Sequence, residues 1–316
     1  MDMPRSAAAL ELYVPTSAAD SDELIKLVTD RLGAESSKTM YRRALRDFLA
    51  WYAATPGARF DKATVQRYRA HLLRDGKLAP ASVNQKLSAI RALAQEASDN
   101  KLIDAQLAHG ISKVKGVKTA GARIGTWLTE KQAQQLLDAP DVRTLKGVRD
   151  QAILAVLLGC GLRRAEAATL TFDHIQQRDG RWVVVDLVGK GQRVRSVPIP
   201  SWTKAAIDTW AAAAGVSSGR VFRSLRKGGH LDGSSMSDQA IADVVADYGD
   251  PLSLDVAAHD LRRTFAKLAL KGQARLEQIQ LSLGHASIKT TERYLGVQQD
   301  LTDAPCDRLG LRLRSA

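Results

Sequence analysis

The sequence predicts a mainly α-helical protein with one small β-hairpin or sheet, built as an N-terminal four-helix domain followed by an α+β domain. Apolar residues recur at three- and four-residue steps over most of the chain, which is the helical period. The period becomes strand-like within residues 181–199, on both sides of a glycine pair. A length of 316 residues suits about two domains.

The first domain is expected at residues 21–112, after a segment of mixed Ala, Ser and Pro at 1–20 that we expect to be disordered. Helix caps are typically Ser, Thr, Asp or Asn, and a glycine often marks a helix end. On this basis we expect four helices, beginning at Ser37, after a cap at Asp61, after a cap at Ser82, and near residue 104.

Residues 113–125, KVKGVKTAGARIG, hold four basic residues, three glycines and no acid. This composition predicts a flexible basic linker between two domains. The linker either crosses a phosphate backbone or is an ordinary interdomain loop, and charge alone does not separate these alternatives.

The second domain is expected at residues 126–316. Thr129 and Gln132 form a capping-box pattern at its first helix, and a long apolar helix follows from about 148 to 158. The run RWVVVDLVGKGQRVRSVPI predicts a hairpin whose tip carries Lys190. We expect a loop at 227–235 and further helices near 201–213, 237–247, 259–270, 275–283 and 287–295.

The net charge of +12 is concentrated in one third of the chain. Residues 37–123 hold 17 Lys and Arg against 6 Asp and Glu, whereas residues 1–36 are net acidic. A focused basic field is typical of proteins that bind a polyanion such as DNA or RNA.

Several classes of protein are not indicated. No apolar run approaches the about 20 residues of a membrane span, and the first residues lack the pattern of a signal peptide. The two cysteines, Cys160 and Cys306, have no metal-ligand spacing, and Cys160 lies in an apolar run typical of a core. We therefore expect a cytoplasmic protein with no metal and no cofactor.

Five short motifs follow one another along the second half of the chain. Each is weak by itself: a His-x-x-Arg pair is usually a surface feature, and a lone Tyr on a helix is usually core. They are Gly161-Leu162-Arg163 with Glu166, Lys190 between two glycines, His259 with Arg262, Gly284-His285, and Tyr294.

Taken together and in this order, the motifs resemble those of the tyrosine recombinases, or phage integrases. The resemblance covers essentially residues 37–300. It implies an N-terminal core-binding, SAM-like helical domain and a C-terminal catalytic domain. It also implies cleavage of one DNA strand by a tyrosine hydroxyl, with a covalent 3′-phosphotyrosyl intermediate and no need for metal or ATP.

The resemblance assigns a role to each motif residue. Arg163 and Arg262 would clamp the phosphate oxygens, because guanidinium forks match phosphate geometry. Lys190 would be the general acid for the leaving 5′-oxygen, and His259 would transfer a proton or hold the phosphate. The remaining roles are a hydrogen bond to phosphate from His285, the nucleophile Tyr294, and a supporting carboxylate at Glu166, for which an exposed helix carboxylate is the alternative.

Two positions depart from a simple match. Arg263 stands where the family often has a second histidine, and we assign it no catalytic role. Arg164, one helical step from Arg163, is expected to face solvent or the DNA backbone. The tail after Tyr294 also lacks the Tyr-Thr-His that is usual in Xer-type members.

The resemblance also implies double-stranded DNA with a specific recombination site as partner, and a homotetramer on DNA, possibly with a dimer on each site. Phosphate contacts position a protein without specifying sequence. The candidates for such contacts are Lys38, Arg42, Arg43, Lys86 and Arg91 in the first domain and Lys113, Lys115 and Lys118 in the linker.

Our main hypothesis is the integrase of a mobile element, since the tail departs from the Xer pattern. The alternatives are an Xer-type resolvase of chromosome or plasmid dimers, a type IB topoisomerase, and a DNA-binding protein that has lost catalysis.

Overall fold

The computed structural model describes residues 18–74, 78–118, 126–189, 194–226 and 228–296. The chain divides into two compact units, Met1–Ala122 and Arg123–Ala316. No helix within these described ranges is both long enough and apolar enough to cross a membrane. The structure does not test the domain boundaries at 21–112, 113–125 and 126–316, which stay predictions.

The first unit contains the four predicted helices and one more. Its aromatic core is centred on Phe48, whose ring lies within 5.8 Å, centroid to centroid, of the rings of Tyr52, Phe60 and Tyr68. The additional helix overlaps the segment expected to be disordered and adds the buried Ile25 to this core. The helices are α1 (Ala18–Thr29), α2 (Glu35–Ala53), α3 (Lys62–Arg74), α4 (Pro80–Asp99) and α5 (Ala105–Ser112).

Two of the predicted helix caps had different outcomes. The Asp61 carboxylate accepts a hydrogen bond from the Thr64 amide at 2.8 Å, so the predicted cap of α3 is confirmed. The predicted cap of α4 at Ser82 is wrong, because the N-cap residue is Ala79, three residues earlier, and α4 begins at Pro80. Proline is favoured at the first helical position, since its fixed φ is helical and its missing N–H would have no partner there.

The first residues of the predicted linker are held against α4. Asn84 on α4 donates to the Val117 carbonyl at 2.9 Å and accepts from the Val117 amide at 2.7 Å. Arg91, about two turns further along the same face of the helix, donates to the Val114 carbonyl at 2.5 Å. Gly116 allows the close approach to Asn84, because a Cβ there would lie 2.6 Å from Asn84 Oδ1. Residues 114–117 are therefore bound to the helical domain rather than free, whereas residues 119–125 lie outside the described residues.

The second unit packs helices around a small antiparallel sheet of strand order β1-β2-β3. Strands β2 and β3 form the predicted hairpin, which is confirmed. Strand β1 and a two-residue pair, β4 with β5, were not predicted, and β5 lies within the expected loop at 227–235. The strands are β1 (Ile175–Arg178), β2 (Arg181–Val188), β3 (Val194–Pro198), β4 (Ser224–Leu225) and β5 (Leu231–Asp232).

Most helices of the second unit agree with the sequence pattern to within one or two residues, whereas the long apolar helix begins at Leu145, three residues before the predicted start near 148. Thr129 and Gln132 form the predicted capping box at the first of them. Cys160, at the end of the long apolar helix, is 1% exposed, which confirms it as a core residue. The helices are α6 (Glu130–Asp138), α7 (Leu145–Gly159), α8 (Arg164–Thr169), α9 (Ser201–Ala214), α10 (Asp238–Gly249), α11 (Ala258–Lys271), α12 (Leu276–Leu283) and α13 (Ile288–Leu295).

The last three helices form a small cluster of their own. Ala266 of α11, Ile279 and Leu283 of α12 and Leu295 of α13 are buried together. Helix α12 ends at Gly284, whose φ of +63° is the left-handed conformation that a glycine adopts without strain. This turn directs the chain from α12 into α13, so the residues after Gly284 and those of α13 return towards α11.

The contact between α4 and the linker predicts a change in protease sensitivity. Asn84→Ala removes two hydrogen bonds of about 1 kcal/mol each, so the segment around Lys115 and Lys118 should open at least tenfold more often. Because cleavage follows the population of the open form, trypsin should cut after these lysines at least tenfold faster, as measured by mass spectrometry. Asn100→Ala is the control, since Asn100 caps the other end of α4 through the Glu96 carbonyl. Equal cleavage rates for the two variants would contradict the prediction.

Candidate active site

Arg163 is the N-cap residue of α8, and Glu166 fixes it twice. The Glu166 carboxylate accepts from the Arg163 amide at 2.8 Å and from Arg163 Nη1 at 2.7 Å. The Arg163 side chain remains 34% exposed. Glu166 is 6% exposed, so the alternative of an exposed helix carboxylate is wrong.

A second arginine, which the sequence analysis did not single out, shares the same carboxylate. Arg195 on β3 donates from Nη1 and Nη2 to the two Glu166 oxygens at 2.9 and 2.8 Å. Burial alone would raise the pKa of Glu166, but the hydrogen bonds from Arg195 and Arg163, with their charges, outweigh it and lower the pKa to about 2. Glu166 is therefore ionised at any pH at which the protein works.

Arg262, on α11, is 1% exposed and bridges two segments of backbone. It donates from Nη1 to the Gly161 carbonyl at 2.5 Å and from Nη2 to the Leu283 carbonyl at the end of α12. Burial, followed by repulsion from Arg163, lowers the pKa of Arg262 to about 9. It remains protonated at neutral pH, so a second fixed positive charge lies beside Arg163.

His259 lies one turn before Arg262 on the same helix, as the spacing predicted. Its ring meets that of Tyr294 edge to face, with centroids 5.7 Å apart. Burial and the charges of Arg263 and Arg262 lower the pKa of His259, although Asp260 opposes the shift. The imidazole is thus favoured in its neutral form.

His285 follows the turn at Gly284, and a contact with helix α13 orients its ring. Its Nδ1 lies 2.9 Å from the hydroxyl of Thr291, a fully buried residue of α13. Burial and then the charges of three arginines, Arg262 foremost, lower the pKa of His285 to about 4. A neutral imidazole that accepts the Thr291 proton at Nδ1 carries its own proton at Nε2, where it can donate to an anion.

Tyr294, on α13, stands between these groups. Its ring centroid is 5.3 Å from that of His285, and the guanidinium of Arg263 lies over the ring at 4.9 Å. The hydroxyl is buried and makes no hydrogen bond to the residues that the structure describes. Burial raises the pKa of Tyr294, against the opposing charges of Arg262 and Arg263.

A pocket of about 260 Å³ opens beside Arg163, His259 and Arg262, which line it together with Ala165 and Ala258. Arg164 also lines it, with an exposed side chain that pairs with Asp238 at 3.3 Å. Two guanidinium groups and an imidazole around a small pocket form a site for a tetrahedral oxyanion.

The structure brings together five of the six predicted catalytic residues and the supporting Glu166. The sixth, Lys190, lies outside the described residues. Sequence reasoning missed Arg195 and Thr291, whose types and neighbours in the sequence do not distinguish them from ordinary strand and helix residues. The roles of all these residues stay predictions at this point.

The basic residues predicted to contact DNA fall into two groups. Lys38 and Lys86 are ion-paired with Glu35 and Asp47, and Arg91 is bound to the linker. Arg43 and the linker residues are exposed, whereas Arg42 is half-buried. The exposed linker residues are Lys113, Lys115 and Lys118.

Comparison with known families agrees with this geometry. The model of the phage integrase family matches residues 126–300, more than half of the chain and the whole described site. The model of the phage integrase N-terminal SAM-like domain matches residues 23–104. The chain belongs to the phage integrase family of tyrosine recombinases. The predicted family and the predicted fold class are both confirmed.

Individual relatives are also tyrosine recombinases. The tyrosine recombinase XerC of Myxococcus xanthus is 32% identical over 228 residues, which cover 69% of this chain and 72% of that protein. XerC of Pseudomonas putida F1 is 30% identical over 275 residues, 85% of this chain and 87% of that protein. The fold is similar to that of XerH bound to its palindromic difH substrate, with a TM-score of 0.68 over 90% of this chain and 82% of that chain, at 18% identity.

The lowered pKa of His285 predicts a loss of stability in acid. The unfolded imidazole keeps its ordinary pKa, so between about pH 6.5 and 4 the unfolded state binds a proton that the folded state does not. The free energy of unfolding should therefore fall as the pH is lowered through this range. His285→Gln should show a smaller fall between pH 7 and pH 5, measured by urea unfolding, with His259 accounting for part of the remainder.

His230→Gln is the control, because His230 is exposed. We expect it to retain the full acid-dependent loss of stability. If His285→Gln loses as much stability on acidification as the unmodified protein, the imidazole is not the source.

Proposed function

We propose that this recombinase cleaves and rejoins double-stranded DNA at a specific site, using Tyr294 to form a 3′-phosphotyrosyl intermediate. The observation that carries the proposal is that Arg163, Arg262 and His259 line one small pocket, while the ring of Tyr294 packs against the rings of both His259 and His285. These residues come from α8, α11, α13 and the turn after α12, so they meet only in the folded chain.

The proposed role of the arginines is electrostatic. In the transition state of strand cleavage, extra negative charge develops on the non-bridging oxygens of the scissile phosphate. Arg163 and Arg262 are fixed before substrate binds, by Glu166 and by backbone carbonyls respectively. Fixed donors cost no reorganisation during the reaction, and removing one such donor typically lowers the rate by about 100-fold or more.

The proposed cleavage step transfers the phosphate from one oxygen to another. The Tyr294 oxygen forms a bond to phosphorus, and the bond from phosphorus to the 5′-oxygen breaks. The phenol proton passes to His259, whose ring lies 5.7 Å from that of Tyr294, centroid to centroid, and Lys190 donates a proton to the departing 5′-oxygen. His285 donates to a phosphate oxygen. Attack by the 5′-hydroxyl of another strand reverses the step, so rejoining needs no ATP and no cofactor.

The proposal extends to assembly and location. XerH is described bound to a difH substrate, and a lambda integrase dimer is described bound to a core site. By analogy we propose a homotetramer on DNA with two protomers on each site, in the cytoplasm. The exposed Arg43 and linker lysines, with the half-buried Arg42, are the proposed backbone contacts; Lys38, Lys86 and Arg91 must first release their present partners.

The proposed biological role is integration of a mobile element. A second candidate, resolution of chromosome or plasmid dimers, is favoured by the 30% identity to XerC along 85% of the chain. The two roles predict that different DNA sequences become attached to the protein. Covalent adducts trapped from genomic fragments should map to an element's ends for an integrase, and to one chromosomal site for a resolvase. Relaxation of any supercoiled plasmid without site preference would instead indicate a topoisomerase.

Removing the hydroxyl oxygen of Tyr294 tests whether this residue is the nucleophile. Tyr294→Phe should bind the recombination site normally but form no covalent adduct on a nicked suicide substrate, as judged by denaturing gel electrophoresis. Tyr248→Phe is the matched control in the same domain, because its hydroxyl bonds to Asp150 outside the site, and it should still form the adduct. An adduct with Tyr294→Phe would assign the nucleophile elsewhere, and no adduct with the unmodified protein would favour a DNA-binding protein without catalysis.

A further inference from the structure

Arg195 is a buried guanidinium to which neither the motifs nor the proposed chemistry assigns a role. Its side chain is 8% exposed, and each of its three nitrogens donates a directed hydrogen bond. Nη1 and Nη2 bind the two oxygens of Glu166, and Nε donates to the Ser282 carbonyl at 2.9 Å. A side chain bound in this way is part of the framework of the site rather than a ligand for the phosphate.

The hydrogen bonds from Arg195 to Glu166 help to position Arg163. Both carboxylate oxygens of Glu166 accept hydrogen bonds from Arg195. The same two oxygens also accept hydrogen bonds from the amide and Nη1 of Arg163. The position of the Arg163 guanidinium therefore depends on a carboxylate whose own position is set from β3. Glu166 lies on a helix of only six residues, and the hydrogen bonds from Arg195 on β3 restrain it in addition to that helix.

The hydrogen bond from Arg195 to Ser282 helps to position the turn that carries His285. The last carbonyls of α12 lack partners within the helix, and two arginines supply them: Arg195 to Ser282 and Arg262 to Leu283. The next residue, Gly284, lies against the Arg195 stem, where a Cβ would come within 2.7 Å of Arg195 Cδ. The path of the backbone into His285 is thus shaped around Arg195.

We propose that Arg195 is a positioning residue for strand cleavage, which aligns Arg163 through Glu166 and His285 through the end of α12. The inference rests on the proposed function, because it concerns the groups that would hold the scissile phosphate. Arg195 acts on the phosphate-binding side of the reaction and not on protonation of the leaving oxygen. A misplacement of about 1 Å in such a site can cost about 100-fold in rate.

The test uses two DNA substrates that differ by one atom. Both are nicked suicide duplexes, and in the second a sulfur replaces the 5′-bridging oxygen of the scissile phosphate. A thiol is far more acidic than an alcohol, so a thiolate departs without the help of a general acid. The sulfur substrate therefore relieves defects in leaving-group protonation and leaves defects in phosphate alignment unchanged.

Arg195→Gln should lower the single-turnover rate of adduct formation about 100-fold at saturating DNA, with little change in the dissociation constant for DNA. The same deficit should remain on the sulfur substrate. Lys190→Ala should be slow on the oxygen substrate and recover on the sulfur substrate. Arg178→Gln, an exposed arginine of the same sheet, is the matched control and should cleave at the unmodified rate.

Arg195→Lys separates alignment from folding. A lysine keeps a positive charge beside Glu166 but cannot span Glu166 and the Ser282 carbonyl together, so it should preserve the melting temperature better than Arg195→Gln and still cleave slowly. If Arg195→Gln does not fold, the same substrate comparison on Arg195→Lys decides the question.

Two results would overturn the proposal. One is cleavage of the oxygen substrate at the unmodified rate by a folded Arg195 variant. The other is recovery on the sulfur substrate as complete as that of Lys190→Ala, which would place Arg195 on the leaving-group side. Failure of the unmodified protein to form any adduct would instead count against the proposed function itself, so the two failures are distinguishable.

Discussion

The carboxylate of Glu166 is the contact on which the site depends. Arg163, Arg195 and Arg262 lie close enough to lower the pKa of the same histidine, and three guanidinium groups so near one another repel strongly where water is scarce. Glu166 is buried among them and binds two of the three. One carboxylate for three guanidiniums holds the cluster together and leaves it positive. Removing Glu166 would leave buried like charges facing each other, whereas a second carboxylate would halve the net positive charge of the cluster.

Neutral backbone oxygens provide the rest of the restraint. Arg262 donates to the carbonyls of Gly161 and Leu283, and Arg195 donates to that of Ser282. A carbonyl orients a guanidinium without cancelling its charge, and each of these carbonyls lies at a bend or helix end where it lacks a partner of its own. The two arginines therefore join the loop before α8, strand β3 and the end of α12, and Arg262 also keeps its charge beside the pocket that it lines.

The sequence predicted the parts of this site that depend on local order, and not those that depend on distant contacts. The motifs identified Arg163, His259 and Tyr294 because each has a fixed neighbourhood in the chain. Arg195 could not be found in this way, since its partners Glu166 and Ser282 are 29 and 87 residues away and an arginine on a strand is usually exposed. The same holds for the fold: α3 and its cap follow from local signals, whereas the binding of the linker to Asn84 joins residues 33 positions apart.

The electrostatics of the pocket also determine how the tyrosine can be activated. Burial raises the pKa of Tyr294, which favours the protonated hydroxyl. Burial, followed by the charges of the arginines, lowers the pKa values of His259 and His285, which favours the neutral imidazoles. A neutral imidazole can accept a proton, but an imidazole with a lowered pKa is a weak base. A phosphodiester in the pocket adds a negative charge beside the arginines, which raises the pKa of a neighbouring imidazole. In the proposed mechanism the substrate thus strengthens the base when the tyrosine must lose its proton, and the hydroxyl stays unreactive in the absence of DNA.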